Sequence, residues 1–260
     1  KHTASLLTCA FLIAGIAPGF VLGEEAEPVD PEITLSDREI RRLDVFEDRA
    51  LSGADAAFHQ KNYADALGLY DGFLKKFPKS TSAAYVTYRK ARCSELAGRL
   101  AEAAADYQAT AKKYPTLSKY AIPAIYRQAE CQLGAGERAE ALANWTLLAE
   151  NAEYRESPLA ARAITRILAA LEAKKDDPAS LKYYERIALK WKLDDEAIMD
   201  KAITAVTRQH VRVEPSEEKL KAFYLQLHPK AAANLDKTPD YLIWLGTVVL
   251  QNGKFGYFDR

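Results

Sequence analysis

What most constrains this chain is that it repeats itself. Residues 88–103 read YRKARCSELAGRLAEA and residues 126–141 read YRQAECQLGAGERAEA, identical at nine of sixteen positions at an offset of 38. A period of 20–50 residues marks a chain built from one supersecondary unit stacked on copies of itself, because a single unit cannot bury its own apolar face.

The unit extends both ways. Ala66, Tyr70, Phe73 and Phe77 stand at i, i+4, i+7 and i+11, one stripe of a helix. Ala103, Tyr107, Thr110 and Tyr114 repeat that stripe, followed by Ala141, Trp145 and Leu148, and then by Ser180, Tyr184, Ile187 and Trp191. The central aromatics Tyr70, Tyr107, Trp145, Tyr184 and Tyr224 are 37, 38, 39 and 40 residues apart. Small residues Ala54, Ala91 and Ala129 fall where paired helices must cross closely.

Each unit reads as helix, short turn, helix. Lys61-Asn62, Ala97-Gly98, Gly134-Ala135-Gly136 and Asp176-Asp177-Pro178 mark turns. Phe77-Pro78, Tyr114-Pro115 and His228-Pro229 end second helices, since proline cannot continue the hydrogen-bond ladder. Ser36 and Glu39 form a capping box that opens the first helix. The pattern predicts an all-α solenoid over residues 37–260. Its units span about 46–80, 81–116, 119–153, 157–192 and 195–229, with a partial sixth at 238–260. The fifth is the weakest, because a loop around Val213 and Ser216 distorts it. The sixth stops before its second helix, which leads us to expect a longer natural protein.

Charge narrows the partners. The 36 basic and 36 acidic residues cancel, so no net positive field draws nucleic acid. Lys1 and His2, an uncharged stretch over 3–23 and the acids Glu24 and Glu25 form the pattern of a secretory signal, with cleavage expected after Gly23. The alternative is an uncleaved anchor, which Gly15, Pro18 and Gly19 disfavour. Cys9 stands too early for a lipoprotein attachment site. Residues 24–36, with Pro28 and Pro31, read as an exposed acidic tether. An exported chain without membrane insertion after cleavage is expected.

The stretch 62–80, NYADALGLYDGFLKKFPKS, resembles a tetratricopeptide repeat. More narrowly, it is similar to the units of bacterial envelope repeat proteins of the Tol–Pal coordinator and barrel-assembly lipoprotein type. Tyr63, Ala66, Tyr70, Phe73-Leu74, Phe77-Pro78, Ser80 and Arg92-Cys93 carry the likeness, while Ala50 and Ala57 stand where the family has bulkier residues. The resemblance implies a right-handed superhelix whose first helices line the concave face, a partner-binding rather than catalytic role, and a place in the periplasm or envelope of a Gram-negative-type bacterium.

On that face Tyr85, Tyr88, Arg89 and Arg92 recur partly as Tyr126 and Arg127, with Arg162 and Arg166 in the next unit. Such a ladder suits an extended peptide or a C-terminal carboxylate, through cation–π contacts and forked hydrogen bonds. The competing reading makes the tyrosines inter-repeat packing and the arginines a solvated face. Glu95, Glu102, Glu130, Glu137 and Glu140 read as solvated helix surface with i,i+4 partners. Cys93 and Cys131 occupy equivalent positions, too far apart for a disulfide, and read as buried thiols. His2, His59, His210 and His228 are scattered, so neither a metal site nor a cofactor is expected, and no GxSxG, HExxH, Walker or GxGxxG string follows residue 23. The reading is an adaptor for other proteins or peptides. Its rivals are a self-assembling or membrane-complex scaffold, and the docking arm of a longer enzyme.

Overall fold

A computed structural model describes residues 33–173, 177–190, 196–213 and 216–228, with positions 243, 244, 246 and 247. The expected signal, most of the tether, Trp191 and nearly all of the partial sixth unit lie outside the described residues.

The chain forms eleven α-helices among the described residues, and no strand. They are α1 (Asp37–Ile40), α2 (Val45–His59), α3 (Tyr63–Lys76), α4 (Ala83–Leu96), α5 (Leu100–Lys113), α6 (Ser118–Gly134), α7 (Arg138–Glu150), α8 (Pro158–Ala173), α9 (Asp177–Leu189), α10 (Glu196–Arg208) and α11 (Glu217–Leu227). From α2 onward they pair as helical hairpins. From α2 to α10 consecutive helices pack on one another, α11 packs on α9 and on the turn that follows α10, and among the first helices α4 touches α6 and α6 touches α8. Hairpins stacked in chain order are what a one-dimensional repeat requires.

The stripes read from the sequence are the core. Ala66, Tyr70 and Phe73 of α3, Ala103, Tyr107 and Thr110 of α5, and Ala141, Trp145 and Leu148 of α7 are all buried, as are Ser180, Tyr184 and Ile187 of α9. Ala54, Ala91 and Ala129 are completely buried at the helix crossings. From α6 to α11 one continuous apolar cluster runs through Tyr126, Trp145, Ile164, Tyr184, Val206 and Phe223. Burying a large apolar side chain of this kind contributes about 1.5–3 kcal/mol.

Local chemistry sets the boundaries. The turn after α4 has Gly98 at φ 75° and the turn after α6 has Gly136 at φ 87°. Lys61 occupies the same place after α2 with φ 60°, a left-handed backbone that only glycine adopts without penalty. The Ser36–Glu39 capping box is present, but it opens only the four-residue α1; a second box, Asp44 with Glu47, opens α2. In the fifth hairpin α10 runs on into a π-helical turn, Gln209–Val213, before Ser216 caps α11. Trp244 packs its ring against Tyr224 at a centroid separation of 4.9 Å.

Candidate functional site on the first helices

The eight residues singled out by sequence divide by burial. Tyr85, Tyr88, Arg89 and Tyr126 lie in the core, with Arg89 only 1% exposed. Arg92, Arg127, Arg162 and Arg166 are half-buried. The tyrosines therefore pack between repeats. Tyr88 lies against Tyr107 at 5.5 Å between ring centroids, and Tyr126 belongs to the continuous apolar cluster. No surface ladder of tyrosines is formed.

Arg89 sits inside a polar knot between the first two hairpins. Its Nε lies 3.8 Å from Asp55 Oδ1, and its guanidinium stacks 3.9 Å above the Phe58 ring and 5.4 Å from that of Tyr85. Tyr70 and Tyr85 both donate their hydroxyls to the same Asp55 oxygen, Tyr85 at 3.0 Å. Burial pushes the pKa of both phenols well above the usual tyrosine range, and the Asp55 carboxylate beside them pushes in the same direction. They stay protonated donors.

One repeat on, the pattern returns with a shift. Positions 55, 92 and 130 are equivalent, 37 and 38 residues apart, and hold Asp55, Arg92 and Glu130. Since Arg92 is a cation, the acid moves one helical turn along to Glu95. That carboxylate accepts from Tyr107 Oη at 2.6 Å, pairs with Arg92 at 2.7 Å and reaches Arg127 of the next first helix at 3.3 Å. In the third unit Glu130 takes Arg166 of α8 through Nε at 3.1 Å and Nη2 at 3.0 Å. Three successive first helices thus each hold the arginine of the following one: Asp55 to Arg89, Glu95 to Arg127, Glu130 to Arg166.

These acids correct the sequence reading, which left Glu95 and Glu130 on a solvated face. The side chains are 13% and 20% exposed, and their partners stand on the next hairpin. The repeat register signalled the arginines, spaced 38 and 39 residues apart; of the acids, Asp55 and Glu130 share one phase and Glu95 stands a helical turn off it.

The thiols of Cys93 and Cys131 are buried, and burial pushes both up to about 12. Among the described residues no three of His, Cys, Asp and Glu gather as a metal could use, and no helix is long and apolar enough to cross a membrane.

Fold and face together define an all-α helical-hairpin repeat protein. The tetratricopeptide repeat model matches residues 53–80 and 85–116, so the chain carries tetratricopeptide repeats over its first two hairpins. Two solved structures of nearly identical TPR-like repeats, assigned to a kinesin light chain of Podosopora anserina, are similar to it. One, at 13% identity and a TM-score of 0.44, covers 75% of this chain and 98% of its own; a point variant, at 14% and 0.45, covers 76% and 98%. No curated protein matches the chain. Tetratricopeptide repeats generally mediate protein–protein interaction, and the fold is typically a non-catalytic scaffold.

Proposed function

We propose that this chain is a non-catalytic adaptor of a bacterial cell envelope that binds segments of partner proteins along its first helices. The observation carrying this is the row of half-buried arginines on successive first helices, of which Arg127 and Arg166 are each oriented by a carboxylate of the preceding one. A cation already fixed in direction loses little side-chain freedom on binding, so it serves as an anchor better than a loose surface lysine. Export is supported by the Lys1-His2 head, the uncharged stretch over 3–23 and the acids at Glu24 and Glu25.

Crosslinking pull-down from the envelope, comparing the native chain with Arg127→Gln/Arg166→Gln, tests the face. Loss of specific partners is expected; equal recovery sinks it. Sequencing the exported chain from its N-terminus tests the signal, with Glu24 expected first.

A self-assembling scaffold is favoured by one observation. Val45 and Phe46, at the start of α2, are 80% and 70% exposed, and Ile40 just before them is 45% exposed. Apolar side chains grouped at one end of a repeat array are what a stacked second copy would cover. Sedimentation at rising concentration decides it: self-association lost in Phe46→Ser supports the scaffold, and a monomer throughout removes it.

A further inference from the structure

Helix α1 is held in place by something other than packing. It has four residues and none of them is buried. A single turn of helix does not sustain itself in water. What fixes it is Glu39, whose carboxylate accepts from Lys119 Nζ at 2.7 Å and from Tyr120 Oη at 3.0 Å, contacts 80 and 81 residues away in sequence. The same carboxylate closes the capping box on Ser36.

The receiving site is better built than its occupant. Lys119 and Tyr120 belong to the first turn of α6, in the middle of the array. Tyr120 is 4% exposed, so its ring is locked, and the Lys119 ammonium lies 5.3 Å from that ring. Both groups present donors. The ammonium has no acceptor capacity, and the phenol already donates to a carboxylate. Such a pair selects an anion. The ion pair itself is solvated, with Lys119 42% and Glu39 28% exposed.

We propose that Lys119 and Tyr120 form a docking point for a carboxylate presented by a helical segment of a partner protein, and that α1 occupies this point in the free chain as an intramolecular competitor. The proposal rests on the adaptor reading and adds to it the partner's anchoring group, a carboxylate, and a step that gates its entry. A strap held by one solvated ion pair and one phenol hydrogen bond opens often enough to be displaced, and its release raises the apparent affinity of a competing segment by about fivefold.

The probe is a labelled peptide of residues 33–43, ITLSDREIRRL, added to three forms of the full chain: native, Glu39→Gln, and Glu39→Gln with Lys119→Met. Fluorescence anisotropy should show binding about fivefold tighter to Glu39→Gln than to the native chain, and binding abolished in the double variant. A peptide carrying glutamine at its own position 39 should not bind. Equal affinity for the native chain and Glu39→Gln overturns the competitor role, and binding that survives Lys119→Met overturns the site. Hydrogen exchange over residues 37–43 must accelerate in Glu39→Gln; unchanged protection overturns the strap. Failure of the adaptor reading is seen separately, as equal partner recovery from the Arg127→Gln/Arg166→Gln chain whatever the peptide does.

Discussion

Glu130 holds the Arg166 guanidinium with both carboxylate oxygens, at 3.1 and 3.0 Å, across the step from α6 to α8. A forked pair is the strongest geometry an arginine and a carboxylate can adopt. Here it joins two hairpins at the level of their first helices. A double-mutant cycle with Glu130→Gln and Arg166→Gln, followed by urea unfolding, should give a coupling of about 1 kcal/mol, the upper end for partly exposed pairs. A coupling near zero would mean that apolar packing alone joins these two repeats.

Arg89 should behave as a core residue. Arg89→Ala removes the stacking on Phe58 and leaves Asp55 facing two tyrosines without its cation, and should cost about 3 kcal/mol in urea unfolding. Arg89→Met keeps most of the volume over Phe58 and should cost less. If Arg89→Ala were as stable as the native chain, the knot would contribute nothing to the first two hairpins.

Lys61→Gly should stabilise the chain. Its left-handed backbone costs about 1–2 kcal/mol for a side chain with a Cβ, and glycine returns part of this through its freer unfolded state. A net gain of about 0.5–1 kcal/mol, read as a raised melting temperature, is expected. Gly98→Ala and Gly136→Ala should move stability the other way. Were Lys61→Gly destabilising, the turn after α2 would have to differ from those after α4 and α6.

The strap should open in acid. Partial burial raises the Glu39 carboxyl, but hydrogen bonds from Lys119, Ser36 and Tyr120 outweigh it and hold the group at about 2, below its ordinary 4.5. A carboxyl depressed in the folded state contributes stability that is fully present above about pH 4.5 and is lost as pH falls through about 2. Amide exchange over residues 37–43 should therefore be constant from neutral pH down to about 4.5, once corrected for intrinsic rates, and rise below it. An opening midpoint near pH 6 would assign the contact to another group.

Cys93 and Cys131 should resist alkylation while the chain is folded. Burial raises both thiols to about 12, so almost no thiolate exists at pH 8 and little of it is reachable. Iodoacetamide followed by mass spectrometry of the two tryptic peptides should show reaction only after urea unfolding. Rapid native labelling of either would place it outside the core.

The sequence by itself determined the unit and its repetition. Tyr70, Tyr107, Trp145, Tyr184 and Tyr224 mark the second helices because helical periodicity writes a buried stripe directly into residue spacing. The turns at Gly98 and Gly136 were equally legible, since a left-handed backbone has few residue choices. Only the tertiary structure decided what the first helices do with their polar residues. Tyr88 and Arg92 lie one turn apart on α4, yet one is core and the other half-buried. The pairs Asp55–Arg89, Glu95–Arg127 and Glu130–Arg166 span 34, 32 and 36 residues, and Glu39 reaches Lys119 across 80. Spacing reports neighbours within one helix, three or four residues apart. Which charges meet across a stack depends on how far each hairpin turns and slides against the last, and that is fixed only when their apolar faces have packed.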